Sequence, residues 1–385
     1  MQWIRLRRLG ASLRIASMAA MACCATWAHA DWVIGQVAPM TGPAAMQSKA
    51  YAQGMRLYFE HINSAGGLHG QPIQLVTLDD RGRPEETVAQ TERLIKEHQP
   101  VALAGFFGNR NLRALLDSEF FTQSKISIVG LHSNDLRVLM APQMFSTRAS
   151  VSEQVEKIAK HLSTLGMKKM ALVYDERDAQ DAKGLEAMVR LLLEEEEAEL
   201  LGSYMLKSGT AATVETVQQL MKAQVQPQAL IVVASSPMTA GFVESYRMEG
   251  GASQVYATSH ADIEQLSVRL PIEMMRGMSI AQVVPNPYRT NSRLSKELQD
   301  RIAKQANPKD YPISYALMEG YVNAKVLAEA MRRTQSLSSA KLADSMRGIR
   351  AVDFGGYAVN FMPGSQTGAR FVDLSIVNAE GRVTQ

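Results

Sequence analysis

Apolar residues along this chain fall into two alternating kinds of run. In the short runs nearly every position is apolar and many are β-branched: Trp32–Val37, Ile73–Leu78, Val101–Ala104, Ile126–Val129, Met170–Tyr174, Ala229–Val233 and Val255–Thr258. These read as strands buried on both faces. Between them lie longer segments of helical period, Ala50–Asn63, Pro84–Glu97, Val151–Leu165, Gly184–Glu197 and Val214–Ala223. Pro84 suits a first helical turn and is followed by Glu85 and Glu86, and Ser150-x-x-Glu153 has the form of a capping box. Strand and helix in alternation predict βαβ units around parallel sheets, an α/β fold. One series ends near Leu139 and a second begins near Val151, with only Met144–Arg148 between them, so the chain reads as two similar lobes joined by a short extended crossing. After Val284 the period turns helical over Ser292–Gln305, Ser314–Thr334 and Ser338–Gly348, and β-like runs return at Tyr357–Phe361 and Phe371–Val377.

The first 30 residues follow a different rule. A basic start is followed by an apolar run from Ile15 to Ala25, and Ala28-His29-Ala30 makes a small-x-small site before Asp31. This predicts a signal peptide cleaved after Ala30. The apolar run is short of the ~20 residues that span a bilayer. A lipoprotein ending at Cys23 or Cys24 is the alternative, but Ala20 or Met21 stands three positions before them, where a lipobox usually has Leu. Arg7-Arg8 is a weak twin-arginine hint.

Removing the leader changes two further readings. The whole chain carries a net charge of +3, but four arginines and no acid lie in the first 30 residues; the remainder has 37 Lys+Arg against 38 Asp+Glu and no global field for polyanions such as nucleic acid. Both cysteines lie in the leader, so the mature chain would carry no disulfide and would be held by packing alone. At 385 residues, 46% apolar and 21% charged, the length allows two or three domains at roughly 150 residues each. A free exported protein serving the cell surface needs an outer membrane to retain it, which makes the periplasm the expected location.

Catalytic patterns are missing. His61, His69, His98, His132, His161 and His260 form no HxxxH or HExxH spacing, and there is no CxxC, GxSxG, P-loop or GxGxxG. Glu194–Glu197 with Glu199 closes a helix pattern; consecutive acids point around a helix rather than at one ion, which makes this a solvated face. No enzyme activity, cofactor or metal is expected.

Particular residues then carry a resemblance. Gly42-Pro43, Ile62-Asn63-x-Ala65-Gly66-Gly67-Leu68-x-Gly70 and Asp79-Asp80-x-x-x-Pro84 resemble the opening of the leucine/isoleucine/valine-type periplasmic binding proteins of ABC transporters. Gly105-Phe106-Phe107-Gly108 before a helix, Gln282-Val283-Val284-Pro285-x-Pro287, Ser314-Tyr315-x-x-x-Glu319-Gly320-Tyr321 and Phe354-Gly355-Gly356-Tyr357 are similar to one branch of that family, in order over about 350 residues. The resemblance implies a type 1 periplasmic binding fold: two Rossmann-like lobes, three crossing strands and a ligand cleft between the lobes. The signal peptide would be residues 1–30, the first lobe 31–146 plus 284–355, and the second 147–283 plus 356–385. It also implies the function, capture of a small carboxylated or amino-acid-like solute and delivery to the permease subunits of an ABC transporter, by a monomer. The alternative is a periplasmic sensor or receptor subunit for amides, urea or aromatic acids.

By the same resemblance, the ligand carboxylate is held at the turns after the third and fourth strands. Here these read Phe107-Gly108-Asn109 and Leu131-His132-Ser133, with Ser133 Oγ completing a cage of backbone amides; Asn109 and Ser133 as plain helix caps is the competing reading. Phe106 and Phe107 offer an apolar wall, one of them core. On the second lobe this chain departs from the family. Gln180-Asp181 stands where an aromatic and a glycine are usual, Ser235 and Ser236 replace another aromatic, and Ser259-His260 replaces an acid that meets the ligand ammonium. Asp181 is either a displaced ammonium partner or a surface acid at a helix start. The amine side of an α-amino acid has no obvious reader.

Overall fold

Strands apolar on both faces need helices on both sides, and the chain satisfies this twice. The computed structural model describes residues 31–177, 182–334, 338–378 and 383–384. The predicted leader and both Gln180 and Asp181 lie outside the described residues. Strands β1 (Trp32–Ala38), β2 (Ile73–Asp79), β3 (Ala102–Phe107), β4 (Ile128–His132) and β5 (Met144–Phe145) form a parallel sheet in the order β2-β1-β3-β4-β5. Strands β6 (Lys169–Asp175), β7 (Glu199–Leu206), β8 (Ala229–Val233), β9 (Gln254–Ala257) and β10 (Ser279–Gln282) form the parallel part of a second sheet. A two-stranded ribbon, β11 (Val352–Asp353) with β12 (Ala358–Val359), follows. Then β13 (Asp373–Val377) and β14 (Val383–Thr384) extend the second sheet antiparallel from β10, in the order β14-β13-β10-β9-β8-β6-β7.

The discontinuous tail is placed by packing. After β10 the helix Tyr315–Arg332, with fifteen of its eighteen residues buried, lies along the helix Ala45–Ser64 on the first sheet. Asn323 Nδ2 donates to Val129 O of β4 at 3.1 Å. The approach is close because glycines sit at the crossing. A Cβ on Gly54 would fall 2.0 Å from Leu317 O, and one on Gly320 would fall 1.9 Å from Tyr51 O, so neither position admits a side chain without separating the helices. The chain then runs beside the first crossing, where Ser146 N donates to Gln366 O and Gly368 N to Ser146 O, before β13 joins the second sheet.

Local signals read from the sequence recur here with some shifts. Pro84 is the first helical residue of Pro84–His98, and Ser150 with Glu153 makes a complete capping box. The helix expected to continue to Glu197 spans Ala182–Glu194; Glu195–Glu197 form a turn with Glu197 at φ 54°, so the acids leave the helix instead of circling it. Elements not anticipated include β7, whose Glu-Leu-Leu-Gly-Ser-Tyr-Met-Leu is interrupted by Gly202, and the helices Ser236–Met248 and Ile263–Arg269. The tail run Tyr357–Phe361 is a strand only at Ala358–Val359. No helix among the described residues is long and apolar enough to cross a membrane.

Candidate functional site

Parallel strands bring the N-termini of the helices that follow them to one edge of the sheet, and an α-helix presents unpaired amide donors and positive potential there. At the carboxyl ends of β3, β4, β6 and β8 both sheets face a cavity of about 180 Å³. Four helices begin on its wall, at Ala44, Pro84, Gly108-Asn109 and Ser235. None of these four carries a side-chain cap, whereas Ser118, Asp135, Ser150, Asp262, Ser292, Ser314 and Ser338 cap other helices of the chain. These four ends thus have no side-chain acceptor for their amide donors, as is also the case at Gly209 and Pro271 away from the cavity.

On the first lobe, Phe107 and His132 stack with ring centroids 4.0 Å apart, and Tyr51 meets both edge-on. Gly108, at φ 95°, takes a left-handed conformation open to glycine, and its amide is tied to His132 O at 3.0 Å. Asn109 is the first residue of its helix rather than its cap; its Oδ1 accepts from Ser133 Oγ at 2.7 Å and from Asn134 N at 2.9 Å. Ser133 Oγ in turn accepts from Asp135 N, and it is Asp135 that caps the helix Leu136–Met140. Neither residue is thus a simple cap. Together they lock the two turns that frame the cavity.

Behind this wall lies a buried polar chain. Arg148, in the first crossing, donates from Nη1 to His132 Nδ1 at 2.5 Å and from Nη2 to Ser259 Oγ, and its Nε is 3.8 Å from Glu319 Oε2. Ser259 N and Oγ both donate to Gln154 Oε1, at 2.8 and 2.9 Å. Since guanidinium only donates, His132 Nδ1 must be unprotonated, and it is Nε2 that carries the hydrogen and faces Glu319 Oε2 at 3.2 Å. Burial first, then the Arg148 charge, lowers the His132 pKa to about 4, against the opposing pull of Glu319. Burial raises the Glu319 carboxyl, but Arg148 and His132 outweigh it and hold the net value below the usual range.

The second lobe contributes Asp175, Arg177, Ala234, Ser235 and His260. Arg177 Nε donates to Asp175 Oδ1 at 2.8 Å, and its Nη2 donates to Asp175 Oδ2 and Ser235 Oγ. The only acid in the lining among the described residues is thereby bound to a cation. Burial, then Arg148 and His132, holds His260 well below the ordinary histidine pKa; its Nε2 is shielded from solvent and has no hydrogen-bond partner among the described residues. Arg110, exposed on the first lobe's wall, makes no ion pair among the described residues.

Of the residues singled out from the sequence, Phe107, Gly108, Asn109, His132 and Ser235 line the cavity. Phe106 is fully buried in the core, as is Leu131. Ser133, Ser236 and Ser259 are buried one layer behind, bonded to Asn109, Asp262 N and Arg148 with Gln154 respectively. Sequence reading missed Arg110, Asn111, Asp175 and Arg177. Only their positions at a strand end or within four residues after it could have flagged them. Among the described residues no cluster of His, Asp or Glu has the makings of a metal site.

Comparison with known proteins adds to this geometry. A family described as periplasmic binding protein matches residues 31–377. An "Amino acid binding protein" of Pseudomonas aeruginosa is 40% identical over 82 residues, 21% of this chain and 22% of that protein. The chain thus spans about a fifth of the length of the curated relatives it matches. The crystal structure of a substrate-binding periplasmic protein from Ralstonia solanacearum matches 92% of this chain and 100% of its own, with 30% identity and a TM-score of 0.82. An extracellular ligand-binding receptor from Verminephrobacter eiseniae, at 24% identity, shares the fold with a TM-score of 0.82 over 92% and 100% of the two chains.

Proposed function

The chain belongs to the periplasmic binding protein family, whose members bind solutes outside the cytoplasm and are not enzymes, and on that premise we propose that it captures a small carboxylate lacking a charged amine and delivers it to the permease of an ABC transporter. The observation that carries this reading is the charge of the cavity wall. Uncapped helix N-termini from both lobes and the Arg110 guanidinium favour an anion. An ammonium has nothing equivalent among the described residues, because Asp175 is already held by Arg177. His132 and His260 are held neutral, so they bring no charge to the wall. Phe107, Pro39, Pro84 and Ala234 supply apolar surface for the body of the ligand.

A thermal-shift screen tests this with matched sets: straight-chain and aromatic monocarboxylates, their primary amides, and the corresponding α-amino acids including leucine, isoleucine and valine. Carboxylates should raise the unfolding temperature in proportion to concentration over Kd, while the amino acids and amides give little. Tight binding of the branched-chain amino acids would overturn the reading. A preference for amides would favour the sensor alternative, in which the closed form is presented to a receptor. Location follows the same premise: the leader directs export to the periplasm and is removed after Ala30.

A further inference from the structure

One lining residue is oriented by a group that itself never reaches the cavity. Asn111 lies in the first turn of the helix Asn109–Asp117, on the cavity wall. Its Nδ2 donates to Thr87 Oγ1 at 2.8 Å and to Asp80 Oδ2 at 3.3 Å. Asp80 is fully buried and makes no ion pair among the described residues. Its remaining capacity is taken by Thr87 Oγ1, donating to Oδ2 at 2.7 Å, and by Gly82 N, donating to Oδ1 at 2.8 Å. The amide nitrogen of Asn111 is therefore the atom turned toward Asp80 and Thr87. The atom left over is Oδ1, and it lies toward Gly108, 3.5 Å from where a Cβ on that glycine would sit. The acceptor thus borders the same helix turn whose amides would seat a carboxylate.

We propose that Asn111 is the specificity-determining residue of this cavity, offering Oδ1 to a hydroxyl on the carbon next to the ligand's carboxylate, with Asp80 as its positioning residue. The ligand class is then the small 2-hydroxycarboxylates. The proposal rests on the carboxylate reading above and sharpens it. A carboxylate on the amides of Asn109–Asn111 carries its neighbouring carbon over the same turn, where one acceptor suits the single hydrogen of a hydroxyl. An ammonium would bring three hydrogens and a charge, and among the described residues the lining holds no uncommitted acid to meet them. Asp80 and Thr87 hold the amide in one orientation, since flipping it would set Oδ1 against the Asp80 carboxylate.

Calorimetry on the mature chain decides it, with mandelate against phenylacetate, 2-hydroxy-4-methylpentanoate against 4-methylpentanoate, and mandelamide as an uncharged probe. In the wild type each hydroxy acid should bind about tenfold more tightly than its deoxy partner, the value of one well-placed hydrogen bond. In Asn111→Ala that ratio should fall to near one while the deoxy acids keep their affinity. Asp80→Asn should also lower the ratio with deoxy affinity retained, which a merely structural loss of stability would not do. Equal binding of hydroxy and deoxy acids by the wild type, or a ratio unchanged in Asn111→Ala, overturns the proposal and leaves the carboxylate reading standing. Binding of mandelamide with no acid binding overturns the carboxylate reading and this inference with it. The wild-type comparison needs no variant, so it decides even if a substituted chain fails to fold.

Discussion

Arg148 Nη1 lies 2.5 Å from His132 Nδ1, so a permanent cation in the first crossing fixes the tautomer of a histidine on the cavity wall. This contact makes stability depend on pH. The folded His132 pKa of about 4 lies below an unfolded value near 6.5, so between these values the unfolded chain binds the extra proton. Its contribution is complete above pH ~6.5 and is lost as pH falls toward ~4, in total about 3 kcal/mol. The urea midpoint should therefore drop between pH 7 and pH 5. His132→Gln should flatten part of that slope while His260, displaced in the same direction, keeps the rest. An identical slope in the variant would show that His132 is not responsible.

The same guanidinium holds Glu319 charged inside the protein. Arg148→Met leaves that carboxylate buried and loses the bond to Ser259 on the second lobe, and should cost about 3–5 kcal/mol in chemical denaturation. Adding Glu319→Gln should recover more than half of the loss. Additive losses in the double variant would mean that the two charges are not coupled.

Ser133 Oγ bonds Asn109 and Asp135 and is buried behind the cavity. Ser133→Ala should lower stability by about 1–3 kcal/mol, because Asn109 and Asp135 N lose a partner. Ligand affinity should fall less than it does on replacing Asn109. Unfolding and binding are to be measured on the same variant, and a large affinity loss with unchanged stability would move Ser133 into direct ligand contact.

Gly320→Ala should destabilise by about 1–3 kcal/mol through overpacking against Tyr51 O, although alanine is intrinsically the better helix former. Gly241, on the helix Ser236–Met248, has open space where its Cβ would be. Gly241→Ala should instead raise the unfolding midpoint, by about 0.5–1 kcal/mol. Equal effects at the two sites would deny the close helix crossing.

Intact mass of the exported protein should begin at Asp31 and show no thiol, since both cysteines precede that point. A lipidated N-terminus at Cys23 or Cys24 would place the protein on a membrane surface instead.

Hydrophobic pattern by itself determined the alternation of strand and helix, the parallel first sheet and the parallel part of the second, and the start of several helices, because these follow from which residues must leave water within one short segment. Thus Ala229–Val233 is a strand with the bounds its apolar run suggested, and Ser150 caps the helix it was expected to cap. Strand ends also marked Phe107, Gly108, Asn109 and Ser235, since whatever follows a parallel strand opens on the same edge. Tertiary structure alone decided which of these face the cavity and which support it. Ser133 and Ser259 resemble Ser235 in sequence context, but bonds to Asn109 and to Arg148 draw them inward. Arg148 and Glu319 are 171 residues apart and gave no sign of one another, because their pairing depends on a helix that returns across the first sheet, on glycines that let it approach, and on the cost of burying either charge alone.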